Sequence, residues 1–152
     1  MKDIKKLIMS LIRKHGTNDP FRIATEKNII LRFEDLKSTY GYFLHSNRIK
    51  IIHINNNLDE AFQRFVCAHE LGHAILHPRV NTPFLRANTL FSVDKIEIEA
   101  NTFAVELLLP DGVITQYQGT DLTIYDVAKM YSVPQELVHL KNFNHETERI
   151  FV

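Results

Sequence analysis

The sequence lacks three features that would assign it to a class at once: paired cysteines, an excess of one charge and a long apolar run. Cys67 is the only cysteine, so no disulfide can form within the chain, which suits a reducing compartment. Lys and Arg number 18, as do Asp and Glu, so no basic excess supports direct binding of nucleic acid. No apolar run has the length of a signal peptide or a transmembrane helix. These absences predict a cytoplasmic protein without a membrane partner.

The pattern of apolar residues predicts a helix, then strands, then further helices. This order favours an α+β fold, and 152 residues suit a single domain spanning 1–152. We expect a hairpin turn at Ser46-Asn47 and an irregular connection over 78–92. Thr123 with Asp126, and Ser132 with Gln135, have the spacing of capping boxes. The predicted helices are 2–15, 59–77, 93–109 and a C-terminal pair at about 121–142, and the predicted strands are 28–33, 40–45 and 48–55.

The segment FVCAHELGHAILHP, residues 65–78, places three histidines and a glutamate in an almost entirely apolar run. On a helix with about 100° per residue, His73 lies about 40° and His77 about 80° from His69, so all three share one face. His69 and His73 are one turn apart, a separation from which both can reach one zinc ion. Glu70 is rotated about 100° away, so it can act on a water molecule without binding the metal first. Gly72 lets another segment approach closely.

The structural alternative to metal binding is that these are core histidines that hydrogen-bond backbone carbonyls. A chain of this composition contains such a His-Glu-x-x-His pattern by chance roughly 3 times in 100, and the buried setting adds to the case for metal. His69 and His73 are therefore predicted metal ligands. For His77 the alternatives are a partner of a ligand, a substrate contact or a cation at the helix C-terminus, and we favour a structural or ligand-supporting role.

The third ligand is expected in KIEIEANTFAVELLLP, residues 95–110, where two glutamates compete. Glu97 shares its helix face with Ala100 and Ala104, so it is predicted to point inward. Glu99 lies on the other side with Glu106 and is predicted to be solvated. A zinc hydrolase needs three protein ligands and one open position, and Glu97 is the candidate for the third.

Two residues near Glu97 bear on that interpretation. Asn101 lies one turn further along, where its side-chain amide can hydrogen-bond a ligand histidine and fix its tautomer. The alternative role for Glu97 is a capping box with Asp94, since the two have the required spacing. We favour the ligand, because a carboxylate on so apolar a face needs a partner.

These motifs resemble the ImmA/IrrE family of zinc metallopeptidases, most closely the ImmA type of phages and integrative mobile elements. The resemblance extends over most of the chain. It is carried by AHELGHAILH and EIEANTFAVELLLP, and further by LIRKHGTND, IHINNNL and DVAKMYSVPQELV.

The resemblance implies a zincin-like, gluzincin-type core with a small antiparallel sheet packed on the His-Glu-x-x-His helix. By position, His69, His73 and Glu97 match the metal ligands, and Glu70 matches the catalytic glutamate. Family members often have Asp where this chain has Asn101. The ImmA type also implies a substrate, a helix-turn-helix repressor whose site-specific cleavage derepresses the mobile element.

If such a site hydrolyses a peptide bond, we expect Glu70 to act as the general base and later to donate the proton to the leaving amine. A second oxyanion donor is expected, with His53, Tyr40, Tyr42 and His77 as candidates. The strands at 40–55 either pair with an extended substrate or serve only as core sheet.

Two other functional classes compete with the endopeptidase. The helices at 123–142 resemble a helix-turn-helix in outline, but their second helix offers only His139 and Lys141 as basic residues, too few for a recognition helix. The other alternative is a zinc-site regulatory protein that binds a repressor or DNA without cutting. The ligand set also tolerates manganese or iron.

Overall fold

The computed structural model describes residues 3–80, 82 and 84–143. The order of elements is that of an α+β protein, in which a helical pair precedes a three-stranded sheet and further helices follow it. The helices are α1 (Ile4–His15), α2 (Pro20–Glu26), α3 (Glu60–Leu76), α4 (Ala87–Leu90), α5 (Lys95–Leu108), α6 (Asp111–Gln116), α7 (Ile124–Met130) and a terminal 3₁₀ helix (Gln135–Leu140), and the strands are β1 (Ile30–Glu34), β2 (Gly41–Ser46) and β3 (Ile49–Asn55).

The sheet is mixed, so the prediction of an antiparallel sheet is wrong for one of its two pairings. The strand order is β1-β3-β2; β2 pairs antiparallel with β3, whereas β1 pairs parallel with it. The chain reverses after β1 and again after β2, which leaves β1 and β3 running in the same direction. Because β3 takes the central position, its pairing with β1 is parallel. The hairpin turn is at Asn47-Arg48, where both residues have positive φ as a two-residue type I′ turn requires.

Helices α3 and α5 form the centre of the molecule, and α3 also packs against β2 and β3. The Asp59 side chain accepts a hydrogen bond from the Phe62 N–H (2.7 Å) and so caps the start of α3. A Cβ at Gly72 would lie 3.1 Å from Phe103 on α5, which confirms the predicted close approach at this glycine. The two helices can therefore bring polar side chains within contact distance of each other.

Three short helices were not predicted. They are α2, α4 and α6, of seven, four and six residues, too short for apolar periodicity to reveal. The connection predicted to be irregular includes α4, and Leu85 within it forms an antiparallel bridge with Gly41. This bridge ties the segment after α3 to the edge of the sheet.

The C-terminal helical pair is present, but its second member is a 3₁₀ helix. The capping box of Thr123 and Asp126 is confirmed, with hydrogen bonds in both directions. The capping box predicted for Ser132 and Gln135 is wrong: Ser132 has a left-handed backbone (φ 69°), and the helix begins after Pro134. In the described part of the chain, no helix has the length and apolar character needed to cross a bilayer.

A buried ion cluster attaches the end of the described chain to α5. Lys141 Nζ lies 2.7 Å from Glu106 and 2.8 Å from Asp111, and Glu106 also accepts the N–H of Asn142. Glu106 is only 2% exposed. The α5 face predicted to be solvated is therefore covered at this point by the C-terminal segment.

Candidate metal centre

Three side chains predicted as metal ligands converge between α3 and α5. Glu97 Oε2 lies 3.3 Å from His69 Nε2, and Glu97 Oε1 lies 2.8 Å from His73 Nε2. One ligand atom of each residue lies within 4.8 Å of those of the other two. The side chains of all three residues are at most 1% exposed. The arrangement arises because α3 directs two imidazoles from successive turns at the first turn of α5.

The unpaired atoms of this cluster fit a cation. His69 Nε2, His73 Nε2 and both carboxylate oxygens of Glu97 are buried and make no hydrogen bond of acceptable geometry within the described residues. The imidazole–carboxylate contacts are short but do not have hydrogen-bond geometry. Buried polar atoms without partners are costly. Two nitrogens and one carboxylate are a donor set that zinc accepts, and a bound cation would satisfy these atoms together.

Asn101 orients the first histidine. Its Oδ1 accepts a hydrogen bond from His69 Nδ1 (2.7 Å), while its Nδ2 donates to the carbonyl oxygen of Leu90 (2.9 Å). Because the carbonyl of Leu90 can only accept, the amide cannot turn over without losing a bond. The proton on the His69 ring is therefore held at Nδ1 in the neutral tautomer, and the lone pair of Nε2 points at the cluster. The contact predicted for Asn101 is present.

The second histidine has a partner of its own. His73 Nδ1 lies 3.1 Å from His77 Nδ1, and both rings are buried. If His73 uses Nε2 as a ligand, its Nδ1–H donates and His77 Nδ1 accepts. His77 Nε2 then faces Glu99 Oε1 at 3.7 Å. The role of His77 in supporting a ligand stays a prediction.

The solvent exposure of Glu99 differs from the prediction. Its side chain is only 15% exposed and faces His77, so the prediction that it is solvated is wrong. The helical wheel placed Glu99 correctly on another side of α5 from Glu97, but it could not show that the end of α3 covers that side. No sequence signal marks this contact, because it joins two helices that are distant along the chain.

Glu97 does not act as a helix cap. Asp94 occupies the N-cap position of α5, but no side-chain cap hydrogen bond forms there. The carboxylate of Glu97 is directed at the two imidazoles instead. Burial opposes ionisation of this carboxyl, but His69 and His73 outweigh burial and lower the pKa of Glu97 to about 2. Glu97 is thus ionised at neutral pH, as a metal ligand has to be.

Glu70 lies beside the cluster without joining it. Its carboxylate is fully buried, its Oε1 is 3.9 Å from His69 Nε2, and neither oxygen has a hydrogen bond from the described residues. Burial, with a smaller contribution from Glu97, raises the pKa of Glu70 to about 7 against the opposing influence of His69. A carboxyl group in this state can take up and return a proton near neutral pH.

The two imidazoles differ in the direction of their pKa shifts. Burial opposes the charged form of His69, but the carboxylates of Glu97 and Glu70 raise its pKa above the usual value. Burial lowers the pKa of His73, and His69 and His77 act in the same direction against Glu97. The two pKa values move in opposite directions because His69 lies beside two carboxylates, whereas His73 lies beside two other imidazoles and one carboxylate.

The other candidate oxyanion donors make contacts of their own. Tyr42 is stacked between His53 (ring centroids 4.3 Å apart) and Phe84 (4.4 Å), and His53 Nδ1 contacts the carboxylate of Glu34. Tyr40 packs edge-on against a phenylalanine of α3. These contacts assign none of them to the developing oxyanion, so the second donor stays a prediction.

Comparison with known proteins agrees with the geometry. Residues 24–142 match a peptidase family described as the IrrE N-terminal-like domain. The matched range contains the whole cluster and the residues that support it.

Two relatives align over most of their length. The chain is 51% identical over 142 residues to "uncharacterized immunity region protein 2" of Bacillus phage phi105, covering 93% of this chain and 90% of that protein. It is 38% identical over 117 residues to "metallopeptidase ImmA" of Bacillus subtilis strain 168, covering 76% of this chain and 68% of that protein.

Proposed function

This chain belongs to the peptidase family described as the IrrE N-terminal-like domain, and from that premise we propose that it is a zinc-dependent endopeptidase of the cytoplasm. The observation that carries the proposal is the convergence of His69, His73 and Glu97 on one buried point, with Glu70 beside it. The family and the name of the B. subtilis relative imply a metal, and the two-histidine, one-carboxylate set favours zinc. In this proposal the core is of the gluzincin type.

The proposed mechanism assigns a separate task to each side chain. Zinc, when bound, would supply a Lewis acid that polarises a carbonyl and makes a water molecule more acidic. His69 and His73 would hold the metal through Nε2, and Glu97 would hold it through its carboxylate. Glu70 removes the proton of the attacking water and delivers it to the leaving amine. Asn101 and His77 keep the two imidazoles in the required tautomers by holding the proton of each ring at Nδ1.

The proposed substrate is a helix-turn-helix repressor. The name of the phage relative refers to an immunity region, and the name of the other relative is ImmA. Strand β2 supports binding of an extended segment, because it pairs with β3 on one side only and is bridged on the other at Gly41 alone, within the described residues. The remainder of that edge offers backbone groups to an added strand.

We also propose that residues 1–152 form a single metallopeptidase domain that includes the helical pair at about 121–142. One apolar core supports this proposal, since it extends without interruption from Ile4 on α1 to Val138 on the 3₁₀ helix. Leu137 and Val138 are buried, so this short helix packs inward. It therefore gives no support to a DNA-binding role.

The decisive experiment combines the purified protein with the proposed substrate, a helix-turn-helix repressor from the same organism. We expect one discrete cut in the presence of zinc, no cut with a chelator, and recovery when zinc is restored. Gel electrophoresis and mass spectrometry of the fragments measure the result. If the protein binds the repressor in the presence of zinc but leaves it intact, the result would favour the alternative of a regulatory protein that binds a repressor without cutting it.

The supporting role of Asn101 has its own expected result. Asn101→Ala should weaken zinc binding about 10–100-fold, because the ring of His69 loses the acceptor that holds its proton at Nδ1. Asn101→Asp keeps an acceptor and should bind zinc more tightly than Asn101→Ala. Competition with a chromogenic chelator measures both affinities. Equal affinities for the two variants would contradict the role.

A further inference from the structure

A cavity of about 460 Å³ lies where the ends of α1 and α2 meet β3 and the last turn of α3. None of the three cluster residues lines it. Its polar lining includes Lys14, Lys27, Lys50 and Glu26, and Ala74 and Ile75 of α3 supply an apolar part of the wall. The volume is within the usual range of small-molecule sites.

The charges around this cavity do not balance. The lining residues carry three ammonium groups and one carboxylate, which leaves an excess of two positive charges. Glu26 is already engaged, since its Oε2 lies 2.8 Å from the Nε of Arg22 and its Oε1 lies 3.3 Å from the Nδ1 of His15. Lys27 and Lys50 are half-buried. Burial, followed by repulsion from Lys14 and Lys50, lowers the pKa of Lys27, so the three lysines lie close enough to interact.

A buried histidine in the same wall lacks one partner. His15 is 8% exposed, its Nδ1 faces Glu26, and its Nε2 has no hydrogen-bond partner among the described residues. Buried polar atoms in folded proteins nearly always have such a partner. Because Nδ1 donates to the Glu26 carboxylate, Nε2 carries the lone pair of the neutral ring, and it can donate to an anion in the cavity once the ring has taken up a second proton.

We propose that this cavity binds a small molecule through a dianionic phosphate group. Two negative charges offset the excess at the lining, and the phosphate oxygens can accept hydrogen bonds from the three lysines and from His15. The cavity is larger than a single phosphate requires, so Ala74 and Ile75 contact the organic part of the ligand. The site lies on a different side of α3 from the metal cluster and does not depend on peptidase activity.

Titration calorimetry of the full chain at constant ionic strength tests the proposal, with inorganic phosphate and phenyl phosphate as probes. We expect one equivalent of each to bind, and phenyl phosphate to bind more tightly because of the apolar wall. Lys27→Gln and Lys50→Gln should each weaken binding about tenfold, since each removes a charge-assisted hydrogen bond. Lys129→Gln, which changes an exposed lysine outside the cavity, is the matched control and should bind like the wild type.

Nitrogen-15 spectra of the imidazole rings provide a second measurement that does not depend on variants. Phosphate should produce the signal of a protonated Nε2 at His15, assigned by its absence in His15→Phe. Binding that survives both Lys27→Gln and Lys50→Gln overturns the proposal, because phosphate then occupies another site. An unchanged His15 spectrum at saturating phosphate also overturns it.

Discussion

Replacing Glu70 by Gln is expected to reduce repressor cleavage by about 10²–10⁴-fold while the protein keeps its zinc. Glutamine has the shape of glutamate but cannot accept the proton of the attacking water. Glu70 lies beside the three proposed ligands and is not one of them, so metal binding should persist. The buried carboxylate has no hydrogen bond from the described residues, so a neutral amide should not prevent folding. Fragment yield over time and metal content per chain measure the two effects.

Glu60→Gln is the matched control for this experiment. Glu60 lies on the same helix, in its exposed first turn, so the substitution removes the same charge far from the cluster. It should cleave at the wild-type rate. If Glu70→Gln also cleaved at that rate, Glu70 would not be the general base, and another group would have to take the proton.

Replacing Glu97 by Gln is expected to weaken zinc binding by at least about a hundredfold. Loss of a residue that only supports a ligand already lowers metal affinity about 10–100-fold, and removal of a ligand has to lower it further. The substitution also removes the negative charge that favours the protonated form of both imidazoles. In the wild type, zinc should raise the midpoint of thermal unfolding because it binds the folded state. In Glu97→Gln this rise should be largely lost.

Glu99→Gln distinguishes Glu97, the proposed third ligand, from its neighbour on α5. Glu99 Oε1 lies 3.7 Å from His77 Nε2, and His77 in turn contacts His73. Glu99 is thus separated from the proposed ligands by one residue, so its loss should weaken zinc binding about tenfold or less. Chelator competition and thermal unfolding at several zinc concentrations compare the two variants. A larger loss in Glu99→Gln than in Glu97→Gln would reverse the assignment of the third ligand.

The burial of the cluster has a consequence for substrate access. The side chains of His69, Glu70, His73 and Glu97 are at most 1% exposed, so a polypeptide can reach them only if neighbouring segments move. The segment after α3 is held by the bridge from Leu85 to Gly41 and by the hydrogen bond from Asn101 to Leu90. For the proposed peptidase, such burial favours one specific substrate over general proteolysis.

Much of the fold could be predicted because its elements are locally encoded. The long helices carry apolar periodicity over many residues, and the structure has α1, α3 and α5 close to the predicted bounds. The three short helices were missed because four to seven residues show too little periodicity. The parallel pairing of β1 was missed because strand order depends on which strand becomes central.

The sequence by itself determined the geometry within each helix. The backbone of an α-helix fixes the rotation per residue. The spacing of His69 and His73 therefore places both rings on one face of α3, and the position of Glu97 on α5 directs its side chain inward. Only the tertiary structure decided which side chains meet across elements. It placed Asn101 against His69, brought Glu99 to His77 instead of to solvent, and covered Glu106 with Lys141. Such contacts depend on how distant segments pack, and local periodicity carries no information about that packing.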